Sequence, residues 1–415
     1  MRVLARLRGF QRLTRVGDAL RMVSDSVRIV PPKIVSVPLE FCLGKVLGEC
    51  VVAPKDLPSV DRSVVDGFAV RAEDMVGSTQ SEPKVLKLKG GNLVGGGEAV
   101  RVWTGQPIPK GANSVVMLEN AKLDGNSVRF FGVIVPHENV SRKGEDVAKG
   151  VVAMRAGLRL RSHHVGLLAA MGFAKVKVFG KPKVAVLATG NEIVEVGSSR
   201  GRGQIFDVNR HVLLALCEEL GVETVDLGIV GDDVGKISDA IKHGVDCADI
   251  VVSSGGTSVG SPDLVPEAVE LLPKSTLIVH GVALRPAMPT GVAVVGGKPV
   301  LLLSGNPVAS VIGFEVFGRP LLCKMLGLKE VEARPVVRAR LLKRVTVALG
   351  RMNYVRVKVQ RIGNDFVAEP VSSRGSGLIS TLTRANGFLV VGEDREGVAE
   401  GEIISVSLFD DVRGD

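Results

Sequence analysis

Aromatic side chains are scarce in this 415-residue chain, making up 4% of it with one Trp and one Tyr. Val, Leu and Ile must therefore fill the cores, and a nucleic-acid binder that stacks bases on aromatic platforms is disfavoured. Paired cysteines are missing too. Cys42, Cys50, Cys217, Cys247 and Cys323 form no Cys-x-x-Cys, which argues against a zinc ribbon or a disulfide framework and fits a reducing cytoplasm. The six histidines show no metal-ligand spacing. Charge-free apolar runs stay short of the roughly 18 residues that a membrane span needs. The N-terminal arginines are followed by no uninterrupted apolar stretch, so Phe10–Val23 reads as an amphipathic helix rather than a signal peptide. No G-x-x-x-x-G-K-[ST] is present, and no G-x-G-x-x-G follows the first apolar strand, so ordinary nucleotide hydrolysis and dinucleotide binding are disfavoured.

What is present is the balance of a folded protein, 45% hydrophobic and 23% charged, at a length that predicts about two to four domains. The net charge of +9 favours anionic partners. Basic residues gather at both ends. Seven Arg precede residue 30, and Arg334 to Arg361 holds nine Arg or Lys without one acid.

Four regions differ in pattern. Residues 1–50 are helical and then irregular; with 136–180, where Leu167, Leu168 and Met171 lie on one helix face before Gly172, they form a linking domain. Residues 51–135 alternate polar and apolar side chains, as in Val85–Lys89 and Val128–Phe130, and read as a small β domain inserted in it. Residues 181–326 alternate strands (Val184–Ala188, Thr224–Val230, Asp249–Val252, Val300–Leu303) with helices through Leu213 and Leu220, Ile237 and Ile241, and Leu264–Leu272. That is the βαβ rhythm of an open parallel sheet. Residues 327–415 are strand-like again and fit a small β barrel. The fold class is multidomain α/β: one doubly wound sheet domain, two small β domains and a helical, irregular linking domain.

Ligands of doubly wound sheets sit at the carboxyl ends of the strands, and here those ends carry the polar residues. The strands run into Thr189-Gly190-Asn191-Glu192, Gly231-Asp232-Asp233, Ser253–Asp263 and Ser304-Gly305-Asn306-Pro307. The third loop is the most telling. Apolar Ile250–Val252 stops abruptly at glycines whose N–H groups can cradle phosphate, and Asp263 closes the loop before a helix. Glu192, Asp232 and Asp263 beside such cradles suggest Mg²⁺ and a phosphate group. The competing reading is that Asp232 and Asn306 cap the helices that follow. In the β region, Ser63-Val-Val-Asp66-Gly67 and Thr104-Gly105 are further polar clusters, or plain turns.

Seven motifs in order resemble the MoeA-type molybdopterin molybdotransferases, which include the gephyrin E domain. They are S-V-V-D-G-F-A at Ser63–Ala69, T-G-Q-P-I-P-K-G-A at Thr104–Ala112, G-E-D at Gly144–Asp146, T-G-N-E at Thr189–Glu192, D-V-N-R at Asp207–Arg210, S-G-G-T-S-V-G-S-P-D at Ser254–Asp263 and S-G-N-P-V-A-S at Ser304–Ser310. The resemblance covers nearly the whole chain. It implies a molybdopterin-binding sheet domain and a cytoplasmic homodimer. It also implies a reaction in which adenylylated molybdopterin takes up molybdate and releases AMP, with Mg²⁺. Asp66, Thr104, Glu192, Asp232, Asp263 and Pro307 are then the catalytic set, with Asp66 and Thr104 reaching across the dimer and Glu192, Asp232 and Asp263 facing the metal. Substrate binding falls to Asp207, Asn209, Ser254, Gly255, Gly256, Ser258, Gly260, Ser304, Gly305 and Asn306. The chemistry of such a site also calls for cations: Arg285, Arg351 and Arg356 can supply positive field and Ser376 a hydroxyl donor, the competing reading being that the arginines are solvated surface residues.

Departures from the family pattern are few. Pro286-Ala287-Met288-Pro289 stands where Pro-Gly-Lys-Pro is common, which removes a point cation, and Leu303-Ser304 replaces Leu-Pro. Asn191 and Asn113 replace acids. The expected partners are small molecules and a second copy of the chain, with a molybdopterin adenylyltransferase as a supplier, and neither nucleic acid nor membrane. Three other readings compete: an adenylyltransferase of the same fold, a tungstate-inserting paralogue, and a basic scaffold or nucleic-acid binder.

Overall fold

Segments such as Val184–Leu187 and Ile250–Val252 offer no polar side to water, and in the computed structural model they become buried strands with both faces covered. The structure describes residues 13–30, 32–256, 263–371 and 375–412. The chain folds as two units, residues 1–35 with 179–415, and residues 36–178.

The larger unit contains a six-stranded sheet. In chain order its strands are β1 (Lys183–Thr189), β2 (Glu223–Val230), β3 (Ile250–Ser254), β4 (Ser275–His280), β5 (Gly291–Val295) and β6 (Lys298–Leu303). Helices α1 (Asn209–Leu220), α2 (Val234–Cys247), α3 (Leu264–Glu270) and α4 (Pro307–Gly313) join or follow them. The spatial order is β2-β1-β3-β6-β5-β4. The core packs Leu187, Val251 and Leu302 against Ile237, Ile241 and Val265. Helix α1 ends where Gly221 adopts φ 82°, as a left-handed C-terminal residue does.

The sheet is not wholly parallel. β5 runs antiparallel to both β4 and β6. Val295 pairs with Lys298 across Gly296 and Gly297, at φ 58° and 88°. Two consecutive positive φ values make the tight hairpin that reverses the chain. The N-terminal helix also differs from its expected span: it runs Val16–Ser26 and buries Val16, Ala19 and Val23, while residues 10–12 lie outside the described residues.

Five strands after residue 335 join Leu284–Arg285 in a second six-stranded sheet, in the spatial order Leu284–Arg285, Met352–Ile362, Asp365–Pro370, Val336–Leu341, Ile403–Leu408 and Gly387–Val391. An extra pairing of Met352–Ile362 with Gly387–Val391 curls it into a barrel. The short helix Ser380–Arg384 had no periodic signal to announce it. Leu284–Arg285 comes from the loop after β4, so a strand of the α/β region completes this β domain.

The unit 36–178 holds a six-stranded sheet built around Phe68, Met75 and Phe130, with the two phenylalanine rings edge to face at 5.7 Å. A second core packs Leu47 and Leu160 against Leu168 of helix Ser162–Ala170 and against Met171, which caps its C-terminal end.

Candidate functional site

β1, β2, β3 and β6 are parallel neighbours, so their polar ends emerge at one edge. Asn209, the first residue of α1, gathers them. Its Nδ2 donates to Ser254 Oγ and to the Gly305 carbonyl, each at 2.8 Å. Ser254 Oγ in turn donates to the Ser304 carbonyl at 3.2 Å. A side chain on Gly255 would collide with the Thr189 carbonyl, 2.2 Å from the position of its Cβ, which explains the glycine. The Gly255 part of the expected phosphate cradle is corrected here: its N–H is spent on the Leu303 carbonyl at 3.1 Å. Gly256 accepts from Val265 N. Ser258 and Gly260 lie outside the described residues.

Asp207 belongs to a closed ion network. Both its oxygens accept from Arg210, from the backbone N–H at 3.1 Å and from Nε at 2.7 Å. The same guanidinium donates to Asp226 at 2.7 Å and pairs with Glu195. Arg210 is 4% exposed; burial works against its charge, but the bonds to Asp207 and Asp226 outweigh it and raise its pKa.

The three carboxylates expected at a metal stand in separate settings. Asp232 accepts from Asn191 N at 3.2 Å while its own N–H donates to Asn191 Oδ1 at 2.9 Å. Helix α2 is capped instead by Asp233, which accepts from Lys236 N. Glu192 folds back over Gly190. Asp263 faces His280, 3.5 Å away, whose pKa is lowered by burial against the pull of Asp263. Among the described residues no three His, Cys, Asp or Glu side chains converge enough to hold a metal ion.

The cations converge far better. A cavity of 580 Å³ is lined by Arg285, Arg351, Arg356 and Ser376 together with Ser304 and Asn306 of the sheet edge. No acidic residue appears among its described lining residues. The shared strand is the cause: Arg285 pairs with Asn353, which sets Arg351 and Arg356 of the barrel beside the loop after β4. Pro307 opens α4, whose Val308 N–H donates to the Ser376 carbonyl at 3.0 Å and anchors the last wall. Asn306 precedes this helix without capping it through its side chain. Arg356 is 4% exposed, burial lowers its pKa, and its Nε has no hydrogen-bond partner among the described residues. A buried guanidinium stays charged and is costly until an anion joins it. The wall also holds Met288, and its neighbour Ala287 sits at φ 95°, a left-handed conformation that glycine takes without strain. Lys343, Arg344 and Tyr354 line the cavity as well; the two cations were visible only as members of the acid-free run.

In the smaller unit, Gly67–Val70 pairs antiparallel with Glu98–Val102, Gly67 opposite Val102. That register brings together the residues just outside each end. Asp66 Oδ1 accepts from Thr104 N and from Thr104 Oγ1, both at 2.7 Å. These bonds, the backbone one first, hold the carboxyl below its ordinary range.

A mixed α/β sheet with a polar carboxyl edge, a cation-lined cavity and a β domain completed by a shared strand define a multidomain α/β protein built to meet an anionic ligand. The comparisons agree. Residues 14–172 match the MoeA N-terminal region (domains I and II), residues 185–324 a probable molybdopterin binding domain, and residues 338–409 the MoeA C-terminal region (domain IV). The chain belongs to the MoeA family. It is 35% identical to a putative molybdopterin biosynthesis protein of Methanocaldococcus jannaschii, over 91% of this chain and 92% of that protein. It is 33% identical to a molybdopterin molybdenumtransferase of Staphylococcus aureus, over 95% of each. The crystal structure of a molybdopterin biosynthesis MoeA protein from Pyrococcus horikoshii superposes with a TM-score of 0.80, at 32% identity, over 96% of this chain and all of that one.

Proposed function

We infer that the protein is a molybdopterin molybdenumtransferase: it inserts molybdate into adenylylated molybdopterin and releases AMP. The observation that carries this reading is the cation-lined cavity, without an acid among its described lining residues, which the buried Arg356 borders with no partner for its Nε among the described residues. A compact oxyanion such as molybdate suits this cluster of cations, because charge-assisted bonds from guanidinium forks fit tetrahedral oxyanions. Arg285 and Arg351 add field from the walls, and Ser376 adds a hydroxyl. Their common work is to hold charge where oxygen atoms leave and enter, in a site prepared beforehand.

The sheet edge would hold the molybdopterin end through Ser304, Gly305 and Asn306, next to the Asn209–Ser254 node. Asp207 supports this edge through Arg210 and does not itself face the ligand. Asp66, kept ionised by its bonds from Thr104, is a hydrogen-bond acceptor for a substrate N–H or O–H rather than a strong base. Pro307 sets the direction of the last loop. The Mg²⁺ implied by the resemblance does not find a preformed ligand set in Glu192, Asp232 and Asp263, so no step here is assigned to it. The reading takes the protein as a cytoplasmic homodimer whose substrate comes from a molybdopterin adenylyltransferase. A membrane role has no support from the helices, none of which, among the described residues, is long and apolar enough to cross.

The test is incubation with adenylylated molybdopterin and molybdate, following AMP. Release that requires molybdate is the expected result. Release at the same rate with molybdate left out would remove the assignment, and release only with tungstate would give the paralogue reading its place.

A further inference from the structure

The chain's single Trp is not in a core. Trp103 is 44% exposed and directly precedes Thr104 in the turn that carries the Asp66–Thr104 pair. The turn is rigid: Trp103 N donates to Gln106 Oε1 at 3.0 Å, Gln106 N donates to the Trp103 carbonyl at 3.0 Å, and Gly105 N donates to the Ser63 carbonyl at 2.8 Å. Arg101, two residues earlier on the same face, lays its guanidinium over the indole at 4.4 Å from the ring centroid. Arg101 also contributes to the low pKa of Asp66.

In a protein so poor in aromatics, a rigidly mounted and exposed indole beside an ionised carboxylate and a hydroxyl has the makings of a ring-binding platform. We propose that Trp103 stacks on the pterin ring of the substrate while Asp66 reads the ring's edge. This rests on the molybdenumtransferase reading and extends it to the ring. The edge chemistry selects the ring. A pterin presents an amino group beside a ring N–H, two parallel donors that a carboxylate accepts. Adenine presents a donor beside an acceptor, which a carboxylate does not match. Both Thr104 bonds fall on Oδ1, so Oδ2 is not used by either. Arg101, stacked on the indole, adds positive charge near an anionic substituent of the ring. Because the turn is already fixed, little order is lost on binding.

The experiment uses the full-length protein and two probes, a simple pterin and AMP, with ribose 5-phosphate as the ring-free control. With Trp103 the only tryptophan, emission excited beyond the tyrosine band reports this residue alone; free tryptophan at equal ligand concentration corrects for absorption. Saturable quenching by the pterin and not by ribose 5-phosphate is expected. In calorimetric titration Trp103→Leu weakens pterin binding about tenfold and Trp103→Phe restores most of it, the scale of one base–aromatic stack. Thermal unfolding of both variants matches the parent, since the side chain is exposed. Quenching by AMP alone, or equal pterin affinity in Trp103→Leu, overturns the proposal. So does an emission shift that follows protein dilution rather than ligand. If molybdate-dependent AMP release persists in those cases, the function stands and only the stacking role falls. Absence of that release in the parent protein would sink the function itself.

Discussion

Arg210 and Arg356 are equally buried, each 4% exposed, yet their surroundings are opposite. Arg210 is met by Asp207, Asp226 and Glu195. Arg356 looks into a cavity without an acid among its described lining residues, with its Nε unbonded. A buried cation with its carboxylates in place is part of the framework. A buried cation without them is a site waiting for an anion. The two arginines look equally basic in sequence, and only the fold separates the one that holds loops still from the one that borders a cavity.

The largest effect should come from breaking the closed network. Arg210→Met leaves buried Asp207 without its partner and should destabilise the protein by about 3–5 kcal/mol, read as a lower unfolding midpoint in calorimetry. Arg356→Met removes an uncompensated charge and puts an unbranched apolar side chain there. Its unfolding midpoint, without added anion, should equal or exceed that of the parent. If the two variants lost stability alike, the distinction between the arginines would fail.

Met288→Lys sharpens the comparison from the other side. It adds a cation to the cavity wall and should tighten molybdate binding about tenfold, the scale of one charge-assisted bond. An unchanged affinity would mean that this wall does not face the anion. Raising the ionic strength should weaken molybdate binding while leaving the unfolding midpoint nearly unchanged, because the Arg210 network is screened less than an open cavity.

The smallest effect concerns pH. The Thr104 bonds lower the Asp66 pKa in the folded protein. A carboxyl with a depressed folded pKa contributes stability that is present above its unfolded pKa and lost as pH falls through the folded one. Acidification through and below the ordinary carboxylate range should therefore loosen the turn at Thr104, and Asp66→Asn should remove that part of the pH dependence. Amide hydrogen exchange at Thr104 would show it; the same acid profile in parent and variant would contradict it.

Much of this was legible in the chain. Ile250–Val252 reads as a doubly covered strand because no polar residue interrupts it, and Arg351 and Arg356 stand out because no acid accompanies them. What stayed hidden depends on register and direction. Apolar runs look alike whichever way they run, so the reversal at Gly296–Gly297 left the sheet looking wholly parallel. Gly255 looked like a cradle because nothing in the sequence shows that its N–H goes to Leu303. Glu192, Asp232 and Asp263 share a sheet edge in any reading, but only the fold shows that Asn191 occupies one and His280 faces another. Lys343 and Arg344 reach the cavity through the pairing of Leu284–Arg285 with the barrel, a long-range contact without a local signature.

The most direct test is calorimetric titration of molybdate into the parent protein and into Arg356→Met, both without nucleotide. Saturable binding by the parent, at least tenfold weaker in a variant that remains folded, is the predicted result. Equal binding by the two proteins would contradict the claim that the open arginine, rather than the closed one, marks the site.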